Sequence, residues 1–194
     1  MDSAATTAPT IPNPKAASLY ADSSLREKII EYGFVGELLR VLWQRGRRDI
    51  EVLRAEVDRG GYDLVLHCNG VSRHVQLKSS HREAATAKVT VNLKLAEKVS
   101  GCVIWILFDQ ETLELGPFLW FGGKPGEPVA DLGTKVAKHT KANSRGRKTE
   151  RPALRVVSRS SFTKLDSVAA VIDALFGALL EIAPNQPMAQ FEAP

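Results

Sequence analysis

The chain is poor in cysteine, with only Cys68 and Cys102 among 194 residues. Two thiols cannot make the disulfide framework of a small secreted domain, so a reducing compartment is expected. Long apolar runs are also missing. The longest, residues 102–108, is far too short to span a bilayer. The first 18 residues are rich in Ala, Thr and Pro and contain no apolar signal core, so a cytoplasmic protein with no membrane partner is expected. Histidine is scarce too. His67, His74 and His81 fall near one another and Cys68 adjoins His67, but no CxxC or HxxxH spacing points to zinc. Aromatic residues are few. Trp43, Trp105 and Trp120 sit in apolar runs and read as core rather than as platforms for stacked bases.

Apolar side chains are sufficient. At 44% hydrophobic, a chain of this length can bury a core in one domain. We expect a disordered tail over 1–20, a domain over 21–182 and a second tail over 183–194, with no internal repeat. Charge is unevenly spread. Residues 135–159 hold nine Lys or Arg against one acid, Glu150; that net +8 leaves −4 for the rest of a chain whose total is +4. A basic stretch on an otherwise acidic protein is the footprint of a polyanion partner or a solvated loop. The candidate contacts are Lys135, Lys138, Lys141, Arg145, Arg147, Lys148 and Arg151.

The periodicities predict an α/β fold. Ser24-Leu-Arg-Glu27 has the capping-box pattern, and Leu25, Ile29, Ile30, Phe34, Leu38, Leu39, Leu42 and Trp43 follow at helical spacing, ending near Gly46. Strands are expected over 50–57, 62–67 and 72–79. Asn69-Gly70 between the last two signals a two-residue type I′ hairpin turn. Residues 89–99 read as either a strand or a short helix. A strand buried on both faces is expected over 102–108, with further strands over 118–121 and 154–157. A final helix is expected over 166–182, with Gly177 able to shorten it.

The hairpin turn fixes a register. Asp63 should face Gln76, Val65 should face His74, and Lys78 should lie beyond Gln76 on the same side; Tyr62, Leu64, Val75 and Leu77 should share the apolar side. A carboxylate and an amide oxygen are hard ligands suited to a cation such as magnesium. A lysine beside them can stabilise charge on a phosphate. Ser79, Ser80, His74 and His81 are candidates to line the same cleft, and Glu56 and Asp58 are spare acids upstream.

Asp63, a hairpin and then Gln76-Leu77-Lys78 resembles the PD-(D/E)xK, or restriction-endonuclease-like, nuclease signature. The Gln-x-Lys form is similar to Mrr-type restriction enzymes. A glutamate on the first helix, as in archaeal Holliday-junction resolvases, is matched by Glu37. The resemblance covers residues 24–110 and departs from the pattern at Tyr62, where the family has proline, and at Gln76, where it has an acid. It implies a core of helix, three strands, helix and strand, and a mixed central sheet flanked by helices. It also implies hydrolysis of phosphodiester bonds with Mg2+ (or Mn2+). Asp63, Gln76 and Glu37 would hold the metal, Lys78 would assist catalysis, and the nucleic acid would be DNA. Cleavage of two strands would favour a homodimer. Two rivals remain: a nucleic-acid-binding protein of the same fold that does not cleave, and an interaction module of a repair or defence system.

Overall fold

The computed structural model describes residues 22–57, 59–139, 146 and 148–178. The expected tails, and Asp58, Lys141, Arg145 and Arg147, lie outside the described residues. Helix α1, Ser23–Gln44, is followed by β1, Glu51–Arg54, β2, Leu64–Cys68, and β3, Val71–His81. After these come β4, Lys88–Asn92, a 3-10 turn at Leu93–Glu97, β5, Gly101–Phe108, and β6, Leu115–Gly122. The chain closes with β7, Val136–Lys138, β8, Glu150–Ser158, β9, Thr163–Leu165, and helix α2, Val168–Phe176. The fold is mixed α/β, as the sequence predicts.

The strands form two sheets. One has six strands in the order β1-β2-β3-β5-β6-β9, and the other has three in the order β4-β8-β7. All pairings are antiparallel except β3 with β5, so the large sheet is mixed. The segment linking these parallel strands combines both of its sequence readings: β4 leaves to join the small sheet, and a 3-10 turn brings the chain back. The crossover helix implied by the resemblance is absent from these described residues. Nothing in the local pattern around Val136 or Thr163 is long enough to announce β7 or β9, and both were missed.

Alternation along the strands builds two cores. One face of the large sheet carries Leu64, Leu66, Cys68, Val75, Ile104 and Ile106 against Phe34 and Leu38 of α1 and Val171, Ile172 and Leu175 of α2. The opposite face carries Val103 and Phe121 against Val91, Leu95 and Val157 on the side of the small sheet. Strand β5 lies between them and is buried at every position, which accounts for its unbroken apolar run. The protein therefore has three layers: helices, large sheet and small sheet.

The helix ends differ in detail from the sequence reading. The N-cap of α1 is Asp22 with no side-chain cap bond, so the predicted capping box does not form and Ser24 lies in the first turn. At α2, Ser167 Oγ accepts the Ala170 N–H, and the helix stops before Gly177 at φ 81°. The expected continuation to Ile182 lies outside the described residues. Trp105 and Trp120 are core, as read, but Trp43 is 64% exposed.

One buried cation joins the layers. Arg73 faces Leu66 across the hairpin on the apolar side, fully buried. Its guanidinium donates to the Leu175 carbonyl at 2.5 Å, Ala174 at 2.9 Å, Gly123 at 3.0 Å and Lys124 at 3.3 Å. The last carbonyls of a helix have no intrahelical partner and carry its negative dipole end, so a cation there satisfies both demands. Burial lowers the Arg73 pKa from its ordinary value, yet a guanidinium stays charged at neutral pH. Replacing Arg73 with Met should leave these carbonyls without their donor and cost about 3 kcal/mol or more, from roughly 1–3 kcal/mol per unsatisfied buried group. Urea unfolding measures it, and a loss below about 1 kcal/mol would remove Arg73 as the tie.

Both thiols are buried and unpaired with each other as free cysteines. Burial pushes Cys68 up to about 11 and Cys102 up to about 12. The thiolate is the reactive form. Folded protein at pH 8 should resist a disulfide-exchange reagent, and both thiols should titrate after addition of guanidinium chloride. Rapid labelling of either in the native state would contradict this packing.

Candidate active site

The hairpin forms in the predicted register. Asn69 and Gly70 occupy the turn with φ of 53° and 73°, and pairing runs from Cys68 with Val71 to Leu64 with Val75. The ladder then loosens at Asp63. Its N–H donates to the Val75 carbonyl at 2.9 Å, and its own carbonyl accepts from the Ala55 N–H at 3.1 Å. Its carboxylate Oδ2 accepts the Leu77 N–H at 2.6 Å, so a side chain takes the place of a ladder carbonyl. This holds the Asp63 carboxylate at the edge of β3, where β2 departs.

The departure is made by Gly60-Gly61-Tyr62. Gly61 has φ +75°, and a Cβ there would lie 2.8 Å from the Asn92 Cβ, so only glycine permits both the backbone shape and the close pass. Tyr62 consequently does not continue on the apolar side beside Leu77, as the register suggested. It packs with the core between the sheets and meets the His74 ring at 4.9 Å.

Asp63 and Lys78 share an open cleft of about 580 Å³ between the N-terminal half of α1 and the ends of β2 and β3. Leu77, Ser79 and Ile106 form its sheet side. Its helix side carries Ser24, Lys28 and two acids, Glu27 and Glu31. Glu31 is held by two cations: Lys28 at 3.0 Å on the same helix and Arg54 from β1. Arg54 also stacks over the Tyr32 ring, which fixes the edge strand against the helix.

Glu37 and Gln76 sit elsewhere. Glu37 makes a bidentate pair with Arg40 at 2.5 and 2.7 Å and is not among the residues lining this cleft. That hydrogen-bonded pair holds its carboxyl below the ordinary glutamate value. The displacement is helical arithmetic. Six residues separate Glu31 from Glu37, which turns Glu37 about a third of a circle away. Glu27 and Glu31 are one helical turn apart beside the buried stripe of Ile30, Phe34 and Leu38; that spacing was the signal that could have found them. Gln76 is buried, and its Oε1 accepts the Asn92 N–H at 3.3 Å. Asn92 in turn accepts the Lys94 N–H, so Gln76 fastens the crossover to β3. Of the other candidates, only Ser79 joins the cleft lining. Ser80 accepts the Trp105 indole N–H, and His74 Nδ1 lies 3.1 Å from the Val99 carbonyl. Glu56 is exposed.

Among the described residues, no three His, Cys, Asp or Glu side chains form a ready-made metal cluster. The cleft's donors are carboxylates, a set that suits a hard cation bound by one or two protein oxygens and completed by water and a phosphate.

A second cleft, of about 410 Å³, lies on the small sheet. Lys135, Lys138 and Lys148 line it, joined by Lys88 and His139, which the sequence reading did not include. Only the pairing of Lys88 with Ser158 across β4 and β8 brings Lys88 there. Lys138 also pairs with Glu150 at 3.6 Å, and Arg151 is exposed on β8.

No protein-family model matches the chain, and no curated protein matches it. Six chains of solved structures match. One is a bacterial homing endonuclease, I-Ssp6803I, at 21% identity, covering 64% of this chain and 85% of that chain with a TM-score of 0.31. A score that low carries no inference about fold or chemistry.

If the Leu77 N–H depends on the Asp63 carboxylate, Asp63→Ala should cost about 1.5–3 kcal/mol, the range for a hydrogen bond to a charged group. Asp63→Asn keeps an acceptor and should cost about half as much or less. Equal stability of the two variants in urea would show that the bond contributes little.

Proposed function

We propose that the protein is a metal-dependent nuclease that hydrolyses phosphodiester bonds of DNA, organised as a Gln-x-Lys variant of the PD-(D/E)xK plan. The observation that supports this reading is that Asp63, Lys78 and two helix acids, Glu27 and Glu31, line one open cleft at the end of the hairpin. Asp63 would hold Mg2+ (or Mn2+), with Glu27 or Glu31 joining directly or through water. When bound, such a cation neutralises phosphate charge and acidifies a water. Lys78 presents its ammonium to the non-bridging phosphate oxygens, where negative charge grows during displacement. Ser79, on the same lining, donates to a phosphate oxygen. Lys88, Lys135, Lys138 and Lys148 grip the backbone elsewhere, through contacts that carry charge and no base information. In this assignment Gln76 positions the crossover and Glu37 is a surface residue.

A second reading, a nucleic-acid-binding protein that does not cleave, draws on one observation. Gln76 Oε1, the expected second metal ligand, is engaged by the Asn92 N–H.

Incubation of purified protein with plasmid DNA and magnesium or manganese separates the two. The nuclease reading expects cleavage that falls about 10²–10³-fold in Lys78→Ala, the usual loss on removing one charge-stabilising donor. It expects Asp63→Asn to be inactive and Glu37→Ala to be unchanged. Absence of cleavage with both metals, alongside retained binding, would select the second reading.

Binding is tested apart from cleavage, by fluorescence anisotropy in calcium. Each phosphate contact on duplex DNA contributes roughly −0.9 to the slope of log affinity against log salt. Replacing Lys88, Lys135 and Lys148 together with Ala should flatten that slope by about 2 to 3 units if all three are engaged. Equal slopes would return the small sheet to solvent.

A further inference from the structure

Helix α1 has a second apolar stripe, on the side away from the core. Leu25 is 62% exposed, Ile29 45%, Tyr32 57%, Leu39 37% and Trp43 64%. With Gly36, also exposed, these positions are separated by four, three, four, three and four residues. That is the spacing of alternating heptad positions in a coiled-coil seam, repeated over nearly three heptads. The buried stripe of Ile30, Phe34, Leu38 and Leu42 occupies the opposite side of the same helix. A single surface helix packing once needs only one such stripe. Large apolar side chains in one contiguous exposed line mark a contact surface.

We propose that a second copy of this chain docks on this stripe, through an antiparallel pairing of the two α1 helices about a two-fold axis. Side-chain sizes select the antiparallel register in which Leu25 faces the partner's Trp43, Ile29 faces the partner's Leu39, and Tyr32 faces the partner's Gly36. The two largest residues, Trp43 and Tyr32, then meet smaller ones, Ile29 meets a leucine of equal size, and each pair occurs twice. A parallel pairing would set Trp43 against Trp43 and leave a hole between two glycines. Gly36 has open space on its outward side, with nothing within 4 Å of a Cβ placed there. That space is open to a partner's tyrosine ring, which in the single copy lies under its own Arg54.

Two charges beside the seam are paired within the helix, and the occupant is selected by the self-complementary sizes along the stripe. The flanking cations are matched on their own helix, Lys28 by Glu31 at 3.0 Å and Arg40 by Glu37 at 2.5 Å. Arg54, over the Tyr32 ring, shares Glu31 with Lys28, and Arg48, over the Trp43 ring, donates to backbone carbonyls, so the seam is an apolar strip with a cation at its Trp43 end. The chain's own end segments are poor occupants. Residues 1–21 contain few large apolar side chains, and Pro184 and Pro187 interrupt the sequence of residues 179–194.

A two-fold axis leaves directions along itself unchanged. The cleft of Asp63 and Lys78 lies about a third of a turn from the seam around α1, so both clefts fall on the same side of the pair. Resting on the nuclease reading, this arrangement presents two sites to one duplex; the seam itself does not depend on that reading.

The test needs no nucleic acid. Sedimentation equilibrium of the full chain should give a dimer that dissociates on dilution. Leu39→Glu should raise the dissociation constant about a thousandfold, since a central loss of about thirtyfold acts twice in a two-fold interface. Its thermal unfolding should match that of the wild-type monomer. Gly36→Leu should also weaken the dimer, although leucine favours the helix over glycine. The double variant Ile29→Cys/Leu39→Cys should form a covalent dimer on oxidation, with residue 29 of one copy linked to residue 39 of the other. A wild-type monomer throughout the concentration series would overturn the proposal. So would a Leu39→Glu dimer as tight as wild type, or an oxidised double variant without the 29–39 link.

Discussion

The register of the β2–β3 hairpin is the constraint on which the rest of the molecule depends. Side chains alternate across a strand, so a slip of one residue would exchange every group between the two faces of the sheet. Here the two-residue turn at Asn69 and Gly70 allows one alignment. It buries Leu64, Leu66 and Val75 under the helices and sends Arg73 into the same layer, where it meets the carbonyls of α2 and of the chain leaving β6. The same alignment carries Asp63 to the point where the ladder opens and its carboxylate can replace a backbone acceptor. One local turn thus sets the helix anchor and the cleft together.

The anchor and the cleft illustrate two ways of handling charge near a core. Arg73 is a buried cation with no carboxylate among its hydrogen-bond acceptors. Carbonyl dipoles at a helix end surround it, which avoids desolvating a second ion. Around the cleft the charges are matched and half open. Glu31 faces Lys28 and Arg54, and Asp63 and Lys78 are among the lining residues. Groups in such a setting remain hydrated enough to exchange partners. The separation of the two settings on one hairpin lets a rigid element present a changeable surface.

What was legible in the sequence was mainly what short-range physics controls. The Asn-Gly turn and the unbroken apolar run of β5 each follow from local spacing and formed as read, whereas the helical spacing of α1 mixed its buried stripe with the exposed Leu25, Ile29, Leu39 and Trp43. Position across long separations was less accessible. Nothing local marks Arg73 as an anchor, because its acceptors lie roughly 50 and 100 residues onward. Lys88 joined the basic cleft only through the pairing of β4 with β8. Gln76 was read as a ligand since its strand position matched a motif; the neighbouring Asn92 N–H, brought close by the glycine at position 61, engages its amide oxygen instead. On α1 the error was angular. Glu37 was matched to a helix glutamate through the resemblance, whereas burial follows Ile30, Phe34, Leu38 and Leu42 and places Glu27 and Glu31 on the cleft.

The same helix explains why Trp43 was misread as core. Its spacing with Leu39, Tyr32, Ile29 and Leu25 is regular, but the angular position of that set is opposite the sheet. An apolar periodicity records that a face is covered without recording by what. For Ile30 and Leu38 the cover is this chain's own sheet and second helix. For the outer set, among the described residues, the notable cover is the Arg48 guanidinium lying 3.4 Å from the Trp43 ring centre and that of Arg54 on Tyr32. Cations stacked on aromatic rings shield part of the surface at modest energetic gain, and they leave Leu25, Ile29 and Leu39 to water. A helix with two apolar stripes has surface for two packing partners, and the fold supplies one of them.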